Sequence, residues 1–248
     1  MRILVTGGTG TLGRHVVSGL SAVGHDVALL SRRPALSDPP ATWFTGDLRT
    51  GSGLQSALDG AEVVVHCATG LRDRTAAARL ITAATRASRP HLIYISIVGI
   101  DRIPMAYYRT KLAVEHEIMA SGLPWTILRA TQFHPLVASF ARALVVSPVV
   151  TVPRGVRFQP IAPAEVADRL VMLCESRPTG RVPDLGGPEI NTLDHWVRAF
   201  ARATGRRRTY VSLPVFGKII GGLRSGENLT PEHAEGVQTF EEFLTEHG

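Results

Sequence analysis

Six short runs of β-branched and other apolar residues punctuate the first 130 positions: RILVT, DVALL, TWFT, EVVVHC, HLIYIS and WTILR. Between them the apolar positions change to helical spacing over Thr11 to Val23, Ser52 to Leu58, Asp73 to Ser88 and Ala106 to Ser121. Strands that alternate with helices read as crossover units. The pattern therefore predicts a parallel sheet covered by helices on both faces, a Rossmann-type, doubly wound α/β fold.

After Arg129 the alternation becomes irregular. RPTGRVPDLGGPEINT is rich in Pro and Gly and reads as turns around one or two short strands. Thr192 is placed to cap a helix whose apolar face is Leu193, Trp196, Val197, Phe200 and Ala201, and Gly205 ends it. Pro163 opens another helix carrying Val166, Leu170, Val171 and Leu173, and Thr239 with Glu242 forms a capping-box pattern before the last. The expected division is a doubly wound α/β domain over 1–130 and a smaller lobe over 131–248. The second is expected to be integrated with the first and to supply one wall of a cleft.

Composition narrows the class. Apolar residues make up 44% and charged residues 19% of the 248 positions, too hydrophobic for disorder and too interrupted for a membrane span. The longest apolar candidate, ALVVSPVVTV from Ala143, is short and contains a proline, so no membrane association is expected. Met1 leads directly into RILVT without the features of a secretory signal, and a cytoplasmic location is expected. The net charge of +6 comes from arginines spread along the chain among acids, and no recognition-helix signature appears, so nucleic acid is not an expected partner. Arg206, Arg207 and Arg208 follow Gly205 at a helix end and read first as a solvated terminus, second as an anion patch. Cys67 and Cys174 lie in apolar segments without metal-like spacing; they read as small buried thiols, and no metal site is expected. The expected partner is a small-molecule substrate, and the expected state a monomer or homodimer.

The chemistry begins at VTGGTGTLG. Gly8, Gly10 and Gly13 have the spacing G-x-G-x-x-G, and Gly7, Gly10 and Gly13 the spacing G-x-x-G-x-x-G. Following a strand and opening a helix, such glycines let a pyrophosphate approach bare backbone, with amides from Thr11 and Leu12 onward at the positive end of the helix dipole. At the end of the second strand, where NAD-binding folds place an acid, stand Ser31, Arg32 and Arg33. Guanidinium groups can pair with a 2′-phosphate that a carboxylate would repel, which favours NADP(H) over NAD(H). Further along, Tyr107 and Lys111 stand at i and i+4 and share a helix face. A nearby ammonium favours phenolate and makes the phenol usable for proton exchange. Tyr108 is the rival phenol.

These segments resemble the atypical short-chain dehydrogenase/reductase superfamily, and in particular its NmrA-like branch, over nearly the whole chain. VTGGTGTLG looks like the cofactor loop, GDLR like the adenine-side turn, VVVHCAT like the nicotinamide-side strand and YISIVGID like the strand with the active-site serine. YYRTKLAVEHEIMASGLPWTILRATQFH looks like the catalytic helix and the strand after it. The resemblance implies that Asp47 and Leu48 flank the adenine, that Ala68 and Thr69 line the nicotinamide ribose, and that Lys111 bonds that ribose while tuning Tyr107. It implies that Ser96 orients a substrate carbonyl and Tyr107 exchanges its proton. Ser96 and Tyr107 stand closer in sequence than the superfamily usually has them. Gln132, Phe133 and His134, at the carboxyl edge of the sixth strand, are candidates for the substrate wall. His134 is also a candidate proton donor, and a packed histidine is the plainer alternative; RFQPIAPAEVAD sets Gln159 and Ile161 near the pocket by the same resemblance. His66, in an apolar strand, reads as a satisfied core residue. The leading expectation is an NADP(H)-dependent oxidoreductase acting on a small carbonyl, enone or related group. An NmrA-like redox sensor that binds NADP(H) without turnover is the alternative, and a sugar-nucleotide epimerase a third.

Overall fold

A computed structural model describes residues 1–33, 41–68 and 73–247. The chain divides into two compact units, the first formed by Met1–Ser96, Arg109–Leu128 and Val166–Val182, the second by Ile97–Tyr108, Arg129–Glu165 and Pro183–Gly248.

All six expected strands form: β1 (Arg2–Thr6), β2 (Asp26–Ser31), β3 (Thr42–Thr45), β4 (Val63–His66), β5 (His91–Ile97) and β6 (Trp125–Ala130). With the short β9 (Gly180–Arg181) they make a parallel sheet of seven strands in the order β3-β2-β1-β4-β5-β6-β9. The direction of strand addition reverses between β1 and β4, and open α/β sheets bind ligands at the carboxyl edge of such a reversal. Alternate residues serve opposite faces. Leu4, Ala28, Leu30, Val64, Leu92, Tyr94 and Ile127 share one core cluster with α2 (Leu54–Leu58), α3 (Asp73–Arg86) and α4 (Ala106–Ala120). The intervening residues Ile3, Val5, Val27, Leu29, Val63, Val65 and Ile93 are buried as well. That continuous burial is what wrote the strands as apolar runs.

Helix α1 (Gly13–Ala22) buries Val16, Val17 and Leu20, and α6 (Pro163–Cys174) buries Val166, Ala167, Leu170 and Val171. The two pack closely enough that a Cβ at Gly19 would lie 3.1 Å from Val171 Cγ2. α1 begins two residues after the expected Thr11, because Gly10 N–H turns back to the Gly7 carbonyl at 2.9 Å and keeps the loop outside the helix.

The second unit contains α5 (His134–Leu144), β7 (Val149–Pro153), β8 (Arg157–Phe158), β10 (Asn191–Thr192), α7 (Leu193–Ala203), β11 (Thr209–Leu213), α8 (Lys218–Ser225) and α9 (Phe240–His247). β7 pairs in parallel with β11, and β8 runs antiparallel to β10. The apolar run from Ala143 thus becomes the end of α5, a turn and β7. Its core gathers Val137, Ala141, Trp196, Val197, Phe240 and Phe243, with Trp196 fully buried and set edge-on to Phe240 at 5.3 Å. Thr192 caps α7 by accepting the His195 amide, as its sequence implied. The Thr239 and Glu242 capping box also forms, with Glu242 N–H donating to Thr239 Oγ1 and Thr239 N–H to Glu242 Oε2. Among the described residues no helix is long and apolar enough to cross a membrane.

Candidate functional site

Two loops meet at the carboxyl edge of β1 and β4. Gly7 has φ +74°, and a Cβ there would sit 2.5 Å from the Ala68 backbone nitrogen, so both its conformation and its close approach require glycine. At Gly13 a Cβ would meet the Gly7 carbonyl. Gly10 differs: among the described residues a Cβ would find only the Gly7 oxygen, at 3.2 Å, and the residue is exposed. The glycines at 7 and 13 therefore shape the loop, whereas position 10 keeps its outer side bare.

Among the described residues the amides of Thr11, Leu12 and Gly13 have no acceptor. They open α1, whose first turn contains no acidic residue. Unpaired amides at the positive end of a helix dipole form an anion cradle. At the end of β2 the Arg32 and Arg33 side chains are exposed, while Ser31 is buried and its Oγ accepts the Arg33 amide at 3.1 Å. The Arg33 carbonyl takes the Trp43 indole N–H at 2.8 Å, which fixes the backbone that presents the two guanidinium groups.

Asp47 begins its own tight turn. Its carboxylate accepts the Arg49 amide at 2.9 Å and the Arg49 guanidinium Nη2 at 2.9 Å, and Arg32 adds positive potential. These hydrogen bonds, the side chain's first, hold its pKa below the ordinary carboxylate range. Leu48 is half-buried against the core. Thr69 lies outside the described residues; Ala68, at their edge, is half-buried.

At the end of β5 a lysine is held in the interior. Lys111 is 1% exposed, and its Nζ donates to the Ile95 carbonyl at 2.8 Å and lies 4.3 Å from the centre of the Tyr94 ring. A buried ammonium is costly without such partners, and the carbonyl and the ring face both provide negative potential. Tyr94 stacks in turn on His66 at 5.5 Å, and His66 Nδ1 is 2.7 Å from Thr6 Oγ1. Burial, helped by Lys111, pushes the His66 pKa down to about 3, so the ring is neutral. Burial also raises Cys67 and Cys174 to about 12, which makes both inert thiols. Ser96, next to the carbonyl that holds Lys111, is buried, and its Oγ has no hydrogen-bond partner among the described residues. An orphaned buried hydroxyl costs about 1–3 kcal/mol and marks a place where a ligand atom can compensate.

Tyr107 and Tyr108 lie in the first turn of α4, Tyr107 half-buried and Tyr108 buried. Burial, with Tyr107 adding to it, raises Tyr108 to about 12, so its phenol keeps its proton through the neutral range. By helical register Tyr107 stands one turn ahead of Lys111.

The substrate-wall candidates have internal partners. Gln132 donates to the Asn228 carbonyl at 3.1 Å and accepts the Gln159 amide at 3.1 Å. Gln159 donates to the Gly187 carbonyl at 2.9 Å and accepts the Thr230 amide at 2.8 Å. Phe133 is bridged to Ile161, which is itself fully buried. His134 is 0% exposed, packs between Phe240 and Phe243, and bonds the Gln238 carbonyl through Nε2 at 3.0 Å. Burial pulls its pKa to about 4.

Sequence reading passed over Tyr94. The signal was present: Tyr94 and Ser96 are two apart on one strand and so lie on one face. It also passed over Asp101, whose carboxylate pairs with the nearly buried Arg129 at 3.2 Å.

Residues 7–171 match the NAD(P)H-binding family, a span of more than half the chain. A (4-alkanoyl-5-oxo-2,5-dihydrofuran-3-yl)methyl phosphate reductase of Streptomyces griseus is 29% identical over 222 residues, covering 86% of this chain and 77% of that protein. An isoflavone reductase homolog of Zea mays is 31% identical over half of this chain and 46% of its own length. An uncharacterised protein of Mycobacterium tuberculosis is 31% identical over 71% of this chain, which spans only 19% of it. Among solved structures, an NADPH-dependent quinone oxidoreductase of Escherichia coli superposes with a TM-score of 0.83 at 21% identity, over 99% of each chain. A nucleoside-diphosphate-sugar epimerase of Staphylococcus aureus reaches 0.80 at 17% identity, over 99% of this chain and all of that one. The chain thus shares its fold with this quinone oxidoreductase and this epimerase, and it belongs to the NAD(P)H-binding family.

Proposed function

We propose that the protein is an NADP(H)-dependent oxidoreductase that transfers hydride to or from a small carbonyl, enone or related substrate. The observation that carries this reading is the buried Lys111 ammonium, fixed on the Ile95 carbonyl beside the orphaned Ser96 hydroxyl and one helical turn from Tyr107. The residues present fit a dinucleotide. Amides of Thr11, Leu12 and Gly13 suit a pyrophosphate, the bare Gly10 leaves it room, and Arg32 and Arg33 suit a 2′-phosphate. Asp47 has acceptor capacity left for an adenine amino group, because a carboxylate has about four lone-pair sites. Bound nicotinamide would supply the hydride.

This chain's own part is proton handling and orientation. Lys111, with its ammonium constrained, favours phenolate at Tyr107 and so lowers the barrier to passing a proton at the phenolic oxygen. Ser96 Oγ donates to the substrate oxygen and thereby gains the partner it otherwise lacks. Tyr107 remains half-exposed, whereas the Tyr108 phenol is withdrawn by burial. The Streptomyces reductase supports a reductive reading by its name, and 77% of its length aligns.

The test is loss of NADPH absorbance with a panel of aldehydes, ketones, quinones and enones. Turnover of at least one is expected. Tyr107→Phe should lower it about 10²–10⁴-fold while NADPH affinity stays near normal. Tyr108→Phe should leave turnover within about twofold, since its phenol is not the proton donor. A protein that binds NADPH tightly and reduces nothing in the panel is a sensor, and the enzyme reading then falls.

A further inference from the structure

A cavity of about 350 Å³ in the second unit is formed by α5, α7 and α9 and by the turn after α7. Its floor is Phe200, Phe243 and Leu244, each less than a tenth exposed; Arg142, Arg206 and His247 stand at its rim. The two arginines are exposed, and among the described residues neither has a carboxylate partner. Arg142 lies 5.8 Å from the centre of the Phe200 ring, and Arg206 makes only a long contact with the Val145 carbonyl at 3.5 Å. Gly205, with φ +65°, turns the chain so that Arg206 N–H bonds back to the Ala201 carbonyl, which sets the Arg206 backbone against the end of α7.

No carboxylate lines the cavity among the described residues. The nearby acids of α9 are engaged elsewhere. Glu242 bonds Thr239, Glu246 accepts from Gln238, and Glu241 pairs with His195 and Arg202. An apolar floor beneath two guanidinium groups that have no carboxylate partner among the described residues is complementary to a molecule with one apolar end and one anionic end.

We propose that this cavity is a binding site for a small amphipathic monocarboxylate, a short acyl or aryl chain with its carboxylate held between Arg142 and Arg206. The apolar body covers Phe243 and Leu244. The carboxylate supplies the acceptors that the described structure does not give to Arg142. The volume admits a small ligand and is too little for a dinucleotide. This site is independent of the nicotinamide reading, since none of its lining residues belongs to the glycine loop, β2 or the Lys111 cluster.

Octanoate is the probe, followed by titration calorimetry and by NMR shifts, with octanol and inorganic phosphate as controls. Saturable, salt-weakened octanoate binding is expected, with octanol and phosphate each at least about tenfold weaker. The double variant Arg142→Gln, Arg206→Gln should weaken octanoate about tenfold or more with an unchanged thermal midpoint, because both side chains are exposed. Ala203→Trp, at an exposed lining position, should block the cavity and also weaken binding. Absence of saturable binding, octanol binding as tightly as octanoate, or full octanoate affinity in both variants would each overturn the proposal.

Discussion

Each unit buries a neutral histidine, and the surroundings of the two rings differ. His66 rests on Thr6 and Tyr94, within reach of the Lys111 ammonium, which adds to the burial that depresses it. His134 packs against Phe240 and Phe243 and is tied to the Gln238 carbonyl. The first ring belongs to a cluster with a fixed buried charge and an unpartnered serine hydroxyl alongside. The second ring leaves its own Nδ1 without a partner among the described residues, but the buried amides of the same unit, Gln132 and Gln159, are matched with each other and with the backbone around Asn228, Gly187 and Thr230. Buried polarity left open at Ser96 invites a ligand; buried polarity closed at Gln159 holds loops together.

The sharpest test of this contrast sets one substitution in each unit side by side. Gly10→Val sets a Cβ 3.2 Å from the Gly7 carbonyl oxygen, a contact that a shift of a few tenths of an ångström relieves, so the protein should stay folded. It should lose NADPH affinity by more than about 100-fold, measured by fluorescence titration. Trp196→Ala removes the fully buried centre of the second core and should cost about 3–5 kcal/mol in urea unfolding. A Gly10→Val protein with intact NADPH affinity would reduce the loop to a plain turn.

A smaller effect is expected at the end of β2. Arg32→Ala and Arg33→Ala should each weaken NADPH about 10–100-fold and change NADH little, the span of one charge-assisted contact. Titration of both cofactors against wild type and variants decides it. Equal wild-type affinity for the two removes the NADP preference and leaves the pyrophosphate cradle untouched.

How much could be read beforehand follows the same division. β1 to β6 were legible because strands buried on both faces are written as apolar runs, and α1 and α3 between them carry helical periodicity. In the second unit α7 and α9 were legible through Thr192 and the Thr239 box, whose capping bonds form. α5 was not, because its N-cap is Phe133, which has no capping side chain; Pro135 in its first turn was the usable signal. β9 and β10, two residues each, form inside RPTGRVPDLGGPEINT, where one or two short strands were expected among turns; β8, also two residues long, carries no periodicity. At the candidate site the glycines and Lys111 could be read from spacing. The Tyr94 ring, the Ile95 carbonyl and the internal partners of Gln132 and His134 depend on tertiary contacts that no local pattern encodes.

The mildest prediction tests the two histidines themselves. Both have folded pKa values, about 3 and about 4, below the ordinary 6.5. Between those limits the unfolded chain binds a proton that the folded chain refuses. Stability is therefore full above pH 6.5 and falls as pH drops toward the folded values, by about 1.4 kcal/mol per pH unit for each ring. His91, lowered by burial, adds in the same direction. The carboxylates with depressed pKa, Asp47, Asp101, Glu232 and Glu242, start from ordinary values of 3.8 or 4.5 and contribute their loss mainly at lower pH. Urea midpoints between pH 6 and 4.5 therefore report chiefly on histidine. His66→Gln and His134→Gln should each make that decline shallower by about one ring's share, whatever they do to stability at pH 7. If unfolding of the two units is resolved, His66→Gln should flatten the first unit's acid limb alone and His134→Gln the second's. A decline unchanged in both variants would mean that the rings take up protons in the folded state, and the contrast between an open and a closed polar core would lose its electrostatic basis.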